Sequence, residues 1–247
     1  MIILLSNDDG YLAEGINVLA SHLREIAEVI IFAPKVNHSG SSSALSLRSK
    51  LQIEKIAKNI YCVNGTPADT VYLGLSGFLD KEPDMVISGI NHGANLGEDV
   101  LYSGTVAAAI EGRVLGLPSI AVSSIAKNSD NYEVAAKITS QLVEKFDDHP
   151  FPSDTILNIN VPDKNYRELN GMVATRLGTR HRSIPFVMKS DIKNTFDYKI
   201  GPPGEGNDAG PGTDFYAIEN NSVSITPIHI DMTNHKILSG MTEWLTE

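Results

Sequence analysis

Two adjacent carboxylates, Asp8 and Asp9, stand in the run Asn7-Asp8-Asp9-Gly10, directly after the apolar stretch 2–6. Within a regular strand, neighbouring side chains point to opposite faces. At a strand end the chain turns, so both carboxylates can face one point beyond the sheet. Carboxylates held close repel, and one pKa rises unless a cation lies between them. The same four residues also make good turn chemistry, so this motif alone fits either a metal site or a capped turn.

Three more segments carry oxygen and amide groups. Ser88-Gly89-Ile90-Asn91-His92-Gly93-Ala94-Asn95-Leu96-Gly97 interleaves glycines with Asn91 and Asn95. Such a segment exposes backbone N–H groups and lets a ligand approach closely. Its spacing is neither a dinucleotide fingerprint nor a P-loop, and a plain surface loop is the alternative. Tyr102-Ser103-Gly104-Thr105 precedes an Ala-rich helix. A helix start of this kind suits phosphate, or is an ordinary N-cap. In Asn37-His38-Ser39-Gly40-Ser41 the Ser39 hydroxyl is a neutral oxygen ligand candidate. Thr66, ahead of Pro67, is read as a helix cap rather than a ligand contact. Carboxylate, hydroxyl and amide oxygens suit Mg²⁺, Mn²⁺ or Ca²⁺ better than zinc or copper. His38 and His92 lie in these loops, where each is either a proton donor or a solvated histidine.

The elements that must position these groups alternate. Apolar runs at 2–6, 29–33, 51–56, 60–63, 85–88, 119–123 and 155–161 read as strands. Between them, Ile16, Leu19, Ala20 and Leu23 recur at helical spacing, as do Val71, Leu75, Phe78 and Leu79, and Val134, Ile138, Leu142 and Phe146. Residues 105–115 form a further helix. This alternation predicts an α/β fold with a mostly parallel sheet between two helix layers. In such sheets ligands bind at the carboxyl ends of the strands, and every candidate motif falls there or at a helix start. After Pro162 the pattern changes. Residues 180–215 are rich in Gly, Pro, Asp and Asn, with a strand at 223–226 and a helix at 234–245. The organisation expected is a catalytic domain over 1–162 and an extension over 163–247 that packs on it or on another subunit.

Composition narrows the partners. The 247 residues are 42% hydrophobic, enough for a sizeable core, and carry a net charge of -10. That charge disfavours nucleic acid polymers, whose binding draws on Lys and Arg, but leaves a small phosphorylated ligand open. Cys62 is the single cysteine, in an apolar stretch, and is read as a buried strand residue. No segment approaches the length of a membrane span, and no basic lead precedes the first apolar run. A cytoplasmic placement is the expectation.

Taken together, LLSNDDG, GTPADTVYLG, SGINHGANLG, VLYSGTVAAAIEGR, GPPGEGNDAGPGTDFYAI and SITPIHIDMT resemble the SurE family from the first residues to about Thr233. The resemblance implies a Rossmann-like domain with a protruding carboxy-terminal part exchanged between subunits, in dimers often assembled into tetramers. It implies a 5′(3′)-nucleotidase acting on small phosphate monoesters, in some members also on short polyphosphate. It places one divalent cation, Mg²⁺ or Mn²⁺, on Asp8, Asp9, Ser39 and Asn91, and the substrate phosphate on Asn95, Ser103, Gly104 and Thr105. His38 stands where family members commonly carry arginine. Expected chemistry is water attack oriented or assisted by Asp8 or Asp9, with an aspartyl-phosphate route as the alternative. Two other readings stay open: a nucleotide-binding module without catalysis, and a nucleosidase-type hydrolase.

Overall fold

A computed structural model describes residues 1–125, 132–183, 187–192 and 195–246. The strands are β1 (Ile2–Ser6), β2 (Glu28–Pro34), β3 (Ile53–Ala57), β4 (Ile60–Val63), β5 (Met85–His92), β6 (Ser119–Ser124) and β7 (Ile156–Val161), then β8 (Met172–Ala174), β9 (Thr179–Arg180), β10 (Val187–Ile192), β11 (Thr195–Lys199), β12 (Gly206–Asp208) and β13 (Val223–Ile228). The helices are α1 (Glu14–Leu23), α2 (Pro67–Leu73), α3 (Gly104–Val114), α4 (Tyr132–Asp148), α5 (Asp214–Glu219) and α6 (Leu238–Thr246).

Nine strands form one sheet in the order β3-β4-β2-β1-β5-β6-β7-β13-β8. From β4 to β7 all neighbours run parallel, while β3 and β13 join antiparallel. The chain leaves β1 toward β2 on one side and later returns to place β5 on the other. That reversal opens a crevice beyond the carboxyl ends of β1 and β5.

The continuous apolar run of β1 is explained by its central position, with helices on both faces. Ile3 and Leu5 pack into the cluster that holds Ile16, Leu19 and Leu23 of α1 and Ala135, Ala136 and Ile138 of α4. Leu4 points the other way, into the cluster with Val71 of α2 and Ala108 of α3. All three β1 residues are fully buried, and burying a side chain of this size stabilises by about 1.5–3 kcal/mol. Cys62 of β4 is buried as expected, and burial raises its thiol pKa.

Three expectations change in detail. The helix opening at Pro67 ends at Leu73, and a wider turn follows in which Ser76 and Gly77 leave helical geometry. That turn carries Phe78 onto the rings of Phe32 and Tyr61, 5.6 and 5.5 Å away. The strand expected over 85–88 runs on to His92, because Asn91 and His92 pair with Ser123 and Ser124 of β6 after a register shift. Asn91 therefore sits on a strand end, not in a free loop. Finally, the segment after Pro162 contributes β13 and β8 to the same sheet, with β13 paired to β7. The hairpin β10–β11 lies outside that sheet.

Candidate active site

The chain turns out of β1 through an Asx arrangement. Asn7, fully buried, donates from Nδ2 to the Gly10 carbonyl at 2.9 Å and accepts the Gly10 N–H at 3.2 Å. Gly10 has φ +102°, a conformation that favours glycine. Closing the turn this way puts Asp8 and Asp9 at its apex. The loop after β2 is tied to the same point, since the His38 N–H donates to the Asp8 carbonyl at 2.7 Å.

Asp8 is almost wholly buried, at 4% exposure. The Thr105 hydroxyl donates to its Oδ1 from the first turn of α3. Gly104 leaves no room for a side chain: a Cβ there would lie 2.7 Å from the Asp8 Cβ and 3.0 Å from both Asp8 Oδ2 and Ser41 Oγ. Burial raises the Asp8 pKa, the Thr105 hydrogen bond opposes that rise, and the charge of Asp9 adds to it. Asp9 accepts a hydrogen bond from Asn37 Nδ2 at 2.8 Å. Among the described residues, neither Asp8 nor Asp9 has a Lys, Arg or His ion-pair partner.

A cavity of about 730 Å³ opens over this point. Its wall includes Asp8, Ser39, Asn91, His92, Asn95 and Ser103. The structure thus brings together residues from the turn after β1, the loop after β2, the end of β5 with the segment that follows it, and the start of α3. Asp9, Gly104 and Thr105 are not on the wall; Gly104 and Thr105 lie against Asp8 from behind. Ser103 caps α3, its Oγ accepting the Val106 N–H at 3.1 Å. The hydroxyl hydrogen remains available to the cavity. Asn95, 5% exposed, donates one Nδ2 hydrogen to Ser123 Oγ at 2.7 Å and keeps a second. Asn91 Nδ2 donates to the Gly93 carbonyl at 2.8 Å, which leaves its Oδ1 as a ligand oxygen. His92 Nδ1 lies 3.2 Å from the Tyr132 hydroxyl. Thr66 caps α2 through a reciprocal pair with Asp69.

The far wall was not anticipated from sequence. Glu98, Asp99 and Tyr102 form one side, and Arg180, His181, Ile200, Pro203 and Gly204 the other. Arg180 spends Nε and one Nη on Asp99, at 2.8 and 2.5 Å, and its other Nη on the Gly204 carbonyl. Asp214, fully buried at the start of α5, accepts the N–H groups of Gly97 and Gly178 at 2.8 Å each. The Arg180–Asp99 and Asp214–Gly97 contacts span 81 and 117 residues of chain, so local patterning carries no trace of them. Asn158 and Asn160 did carry a signal: two amides at alternating positions of an otherwise apolar strand share one face.

No group of three His, Cys, Asp or Glu side chains able to hold a metal occurs among the described residues. A cation here would therefore rest on two carboxylates and on neutral oxygens. Two buried or half-buried carboxylates with no cationic partner fit that role. Fold and site together define a Rossmann-like α/β protein with an oxygen-lined pocket at the switch point of its sheet.

The family described as "Survival protein SurE" matches residues 3–184. A protein of Pseudoalteromonas atlantica named 5′-nucleotidase SurE is 50% identical over 247 residues, covering all of both chains. A Legionella pneumophila protein of the same name is 51% identical over 247 residues, all of this chain and 98% of that one. The crystal structure of the SurE protein from Aquifex aeolicus superposes with a TM-score of 0.89 at 41% identity, over the full length of both. The chain belongs to the SurE family.

Proposed function

We propose that this chain is a metal-dependent phosphatase that hydrolyses nucleoside 5′-monophosphates to nucleoside and phosphate. One observation carries the reading: Asp8 is a buried carboxylate without a cationic partner among the described residues, crowded by Asp9, on the wall of a cavity that also presents Ser39, Asn91, Asn95 and Ser103. Relatives that share half of its residues over their whole length bear the name 5′-nucleotidase, which supports the choice of substrate.

Asp8, Asp9, Ser39 and Asn91 would hold one Mg²⁺ or Mn²⁺ ion. Bound there, the cation would neutralise phosphoryl charge and lower the pKa of water. Phosphoryl transfer otherwise needs positioning and charge stabilisation. The second Nδ2 hydrogen of Asn95 and the Ser103 hydroxyl can donate to phosphoryl oxygens. The amino end of α3, at Gly104 and Thr105, adds its positive dipole. One carboxylate of the Asp8–Asp9 pair orients the attacking water, and Thr105 holds Asp8 in place for it. The acidic far wall, with Arg180 already committed to Asp99, suits a nucleoside's hydroxyls rather than a second phosphate chain. We extend the proposal to 3′-monophosphates and, on the family resemblance, to short polyphosphate.

We also propose assembly through the segment after Pro162. The hairpin β10–β11 stands outside the main sheet, and α6 exposes Leu238, Met241, Trp244 and Leu245. A homodimer or tetramer would cover that apolar face.

The test is phosphate release from AMP, GMP and 3′-AMP by the purified chain with Mg²⁺, with Mn²⁺ and with EDTA. Expected is turnover with a cation and none with EDTA. Release of free base, or no turnover with either cation, overturns the proposal.

A further inference from the structure

Asn95 is gripped from behind by the last strand of the parallel run. Asn160 of β7 accepts the Asn95 N–H on Oδ1 at 2.8 Å and donates from Nδ2 to the Asn95 carbonyl at 3.0 Å. Asn158, two residues earlier and on the same face, donates to that carbonyl as well, at 2.9 Å. Ser123 of β6 holds the Asn95 side chain. Both main-chain groups and the amide of Asn95 are thus fixed, and all four residues are buried.

The arrangement is more than a way to satisfy a buried loop. Asn158 Oδ1 is buried and has no hydrogen-bond partner among the described residues. An unpartnered buried amide oxygen costs stability. An apolar residue of the same shape at 158 would avoid that cost, and the apolar neighbours Leu157 and Ile159 fit the strand well. What only an asparagine supplies is the second hydrogen bond to the Asn95 carbonyl. Residues that lock a binding group from behind preserve its geometry.

We propose that Asn158 and Asn160 are positioning residues that hold Asn95 in the orientation that binds the substrate's phosphate. The inference rests on the reading of Asn95 as a phosphate ligand given above. Neither asparagine lies on the cavity wall, so each acts through Asn95. Leucine, close in shape to asparagine, removes the hydrogen bonds without leaving a void.

The experiment measures kcat and KM for AMP, the inhibition constant of inorganic phosphate, and the melting temperature. The variants are Asn158→Leu, Asn160→Leu, Asn95→Ala and the double variant Asn95→Ala/Asn160→Leu. Expected for both leucine variants is a rise of about tenfold in KM and in the phosphate inhibition constant, with a smaller change in kcat. Asn158→Leu melts no lower than the parent, which a purely structural role would not allow. The double variant is no worse than Asn95→Ala alone, since both changes act on one contact. If Asn95→Ala weakens phosphate binding while neither leucine variant does, or if the losses add in the double variant, the positioning role is overturned and the phosphate reading stands. If Asn95→Ala leaves phosphate binding intact, the reading of Asn95 itself fails and the positioning role goes with it. Should Asn160→Leu not fold, Asn158→Leu decides alone.

Discussion

The Thr105 hydroxyl reaches back from the first turn of α3 to donate to Oδ1 of Asp8, 97 residues earlier in the chain. This contact joins the metal-ligand candidate in the turn after β1 to the helix start proposed for phosphate. It also turns Thr105 away from the cavity: its side chain is fully buried. Thr105→Val keeps the shape and removes the donor. A hydrogen bond to a charged group contributes about 1.5–3 kcal/mol. The variant should bind Mn²⁺ roughly 10- to 100-fold more weakly by calorimetry, with turnover reduced in step. Unchanged affinity would show that Asp8 does not need this contact.

Asp8→Asn should abolish cation-dependent turnover without unfolding the chain. Burial already disfavours the charged form of Asp8, so the neutral amide relieves a cost. In EDTA the variant should melt no lower than the parent. Added Mn²⁺ should raise the parent's melting temperature, by about 2.7 kcal/mol of stability at a hundredfold excess over Kd, and leave the variant's unchanged. A parent that gains nothing from Mn²⁺ contradicts the cation site.

Gly104→Ala drives a methyl group into Asp8 and Ser41, at 2.7 and 3.0 Å. Overpacking of this kind costs about 1–3 kcal/mol. The strain falls on the carboxylate, so activity should drop by more than stability does. Comparing the loss of kcat/KM with the shift in denaturant midpoint checks this; equal losses would make Gly104 a packing residue only.

Glu111 of α3 gives a pH signature away from the site. Burial raises its pKa above the ordinary 4.5, and Asp69 adds to the rise. The folded chain therefore holds this proton more tightly than the unfolded chain. Stability from this group is complete below the unfolded pKa and is lost as pH rises through the folded one. Glu111→Gln should leave the melting temperature unchanged in acid. It should raise it at about pH 8, where the parent must hold the carboxylate charge in a buried position. A melting curve that keeps the parent's pH slope would place the titration elsewhere.

Much of the architecture was legible. An apolar run such as Ile2-Ile3-Leu4-Leu5 can only be buried on both faces, and its alternation with helical stripes implied a parallel sheet. The acidic pair at its end followed from the rule that such sheets bind at their carboxyl ends. Less legible was the end of β5, where glycines and asparagines look like a loop until Ser123 and Ser124 are in place to pair with them. The far wall was hidden altogether. Arg180 on Asp99 and Asp214 on Gly97 join segments with no shared period or spacing.

By itself the chain's order of residues determined which segments are strands and helices, and that carboxylate, hydroxyl and amide oxygens end up at one edge of the sheet. Periodicity decides this, because it acts between near neighbours. Tertiary packing alone decided that Asp8 would be buried against Gly104, that Thr105 would serve Asp8 rather than the cavity, and that two asparagines of β7 would hold Asn95. Those outcomes depend on which distant surfaces meet, and a hydrogen bond leaves no mark on the sequence between its partners.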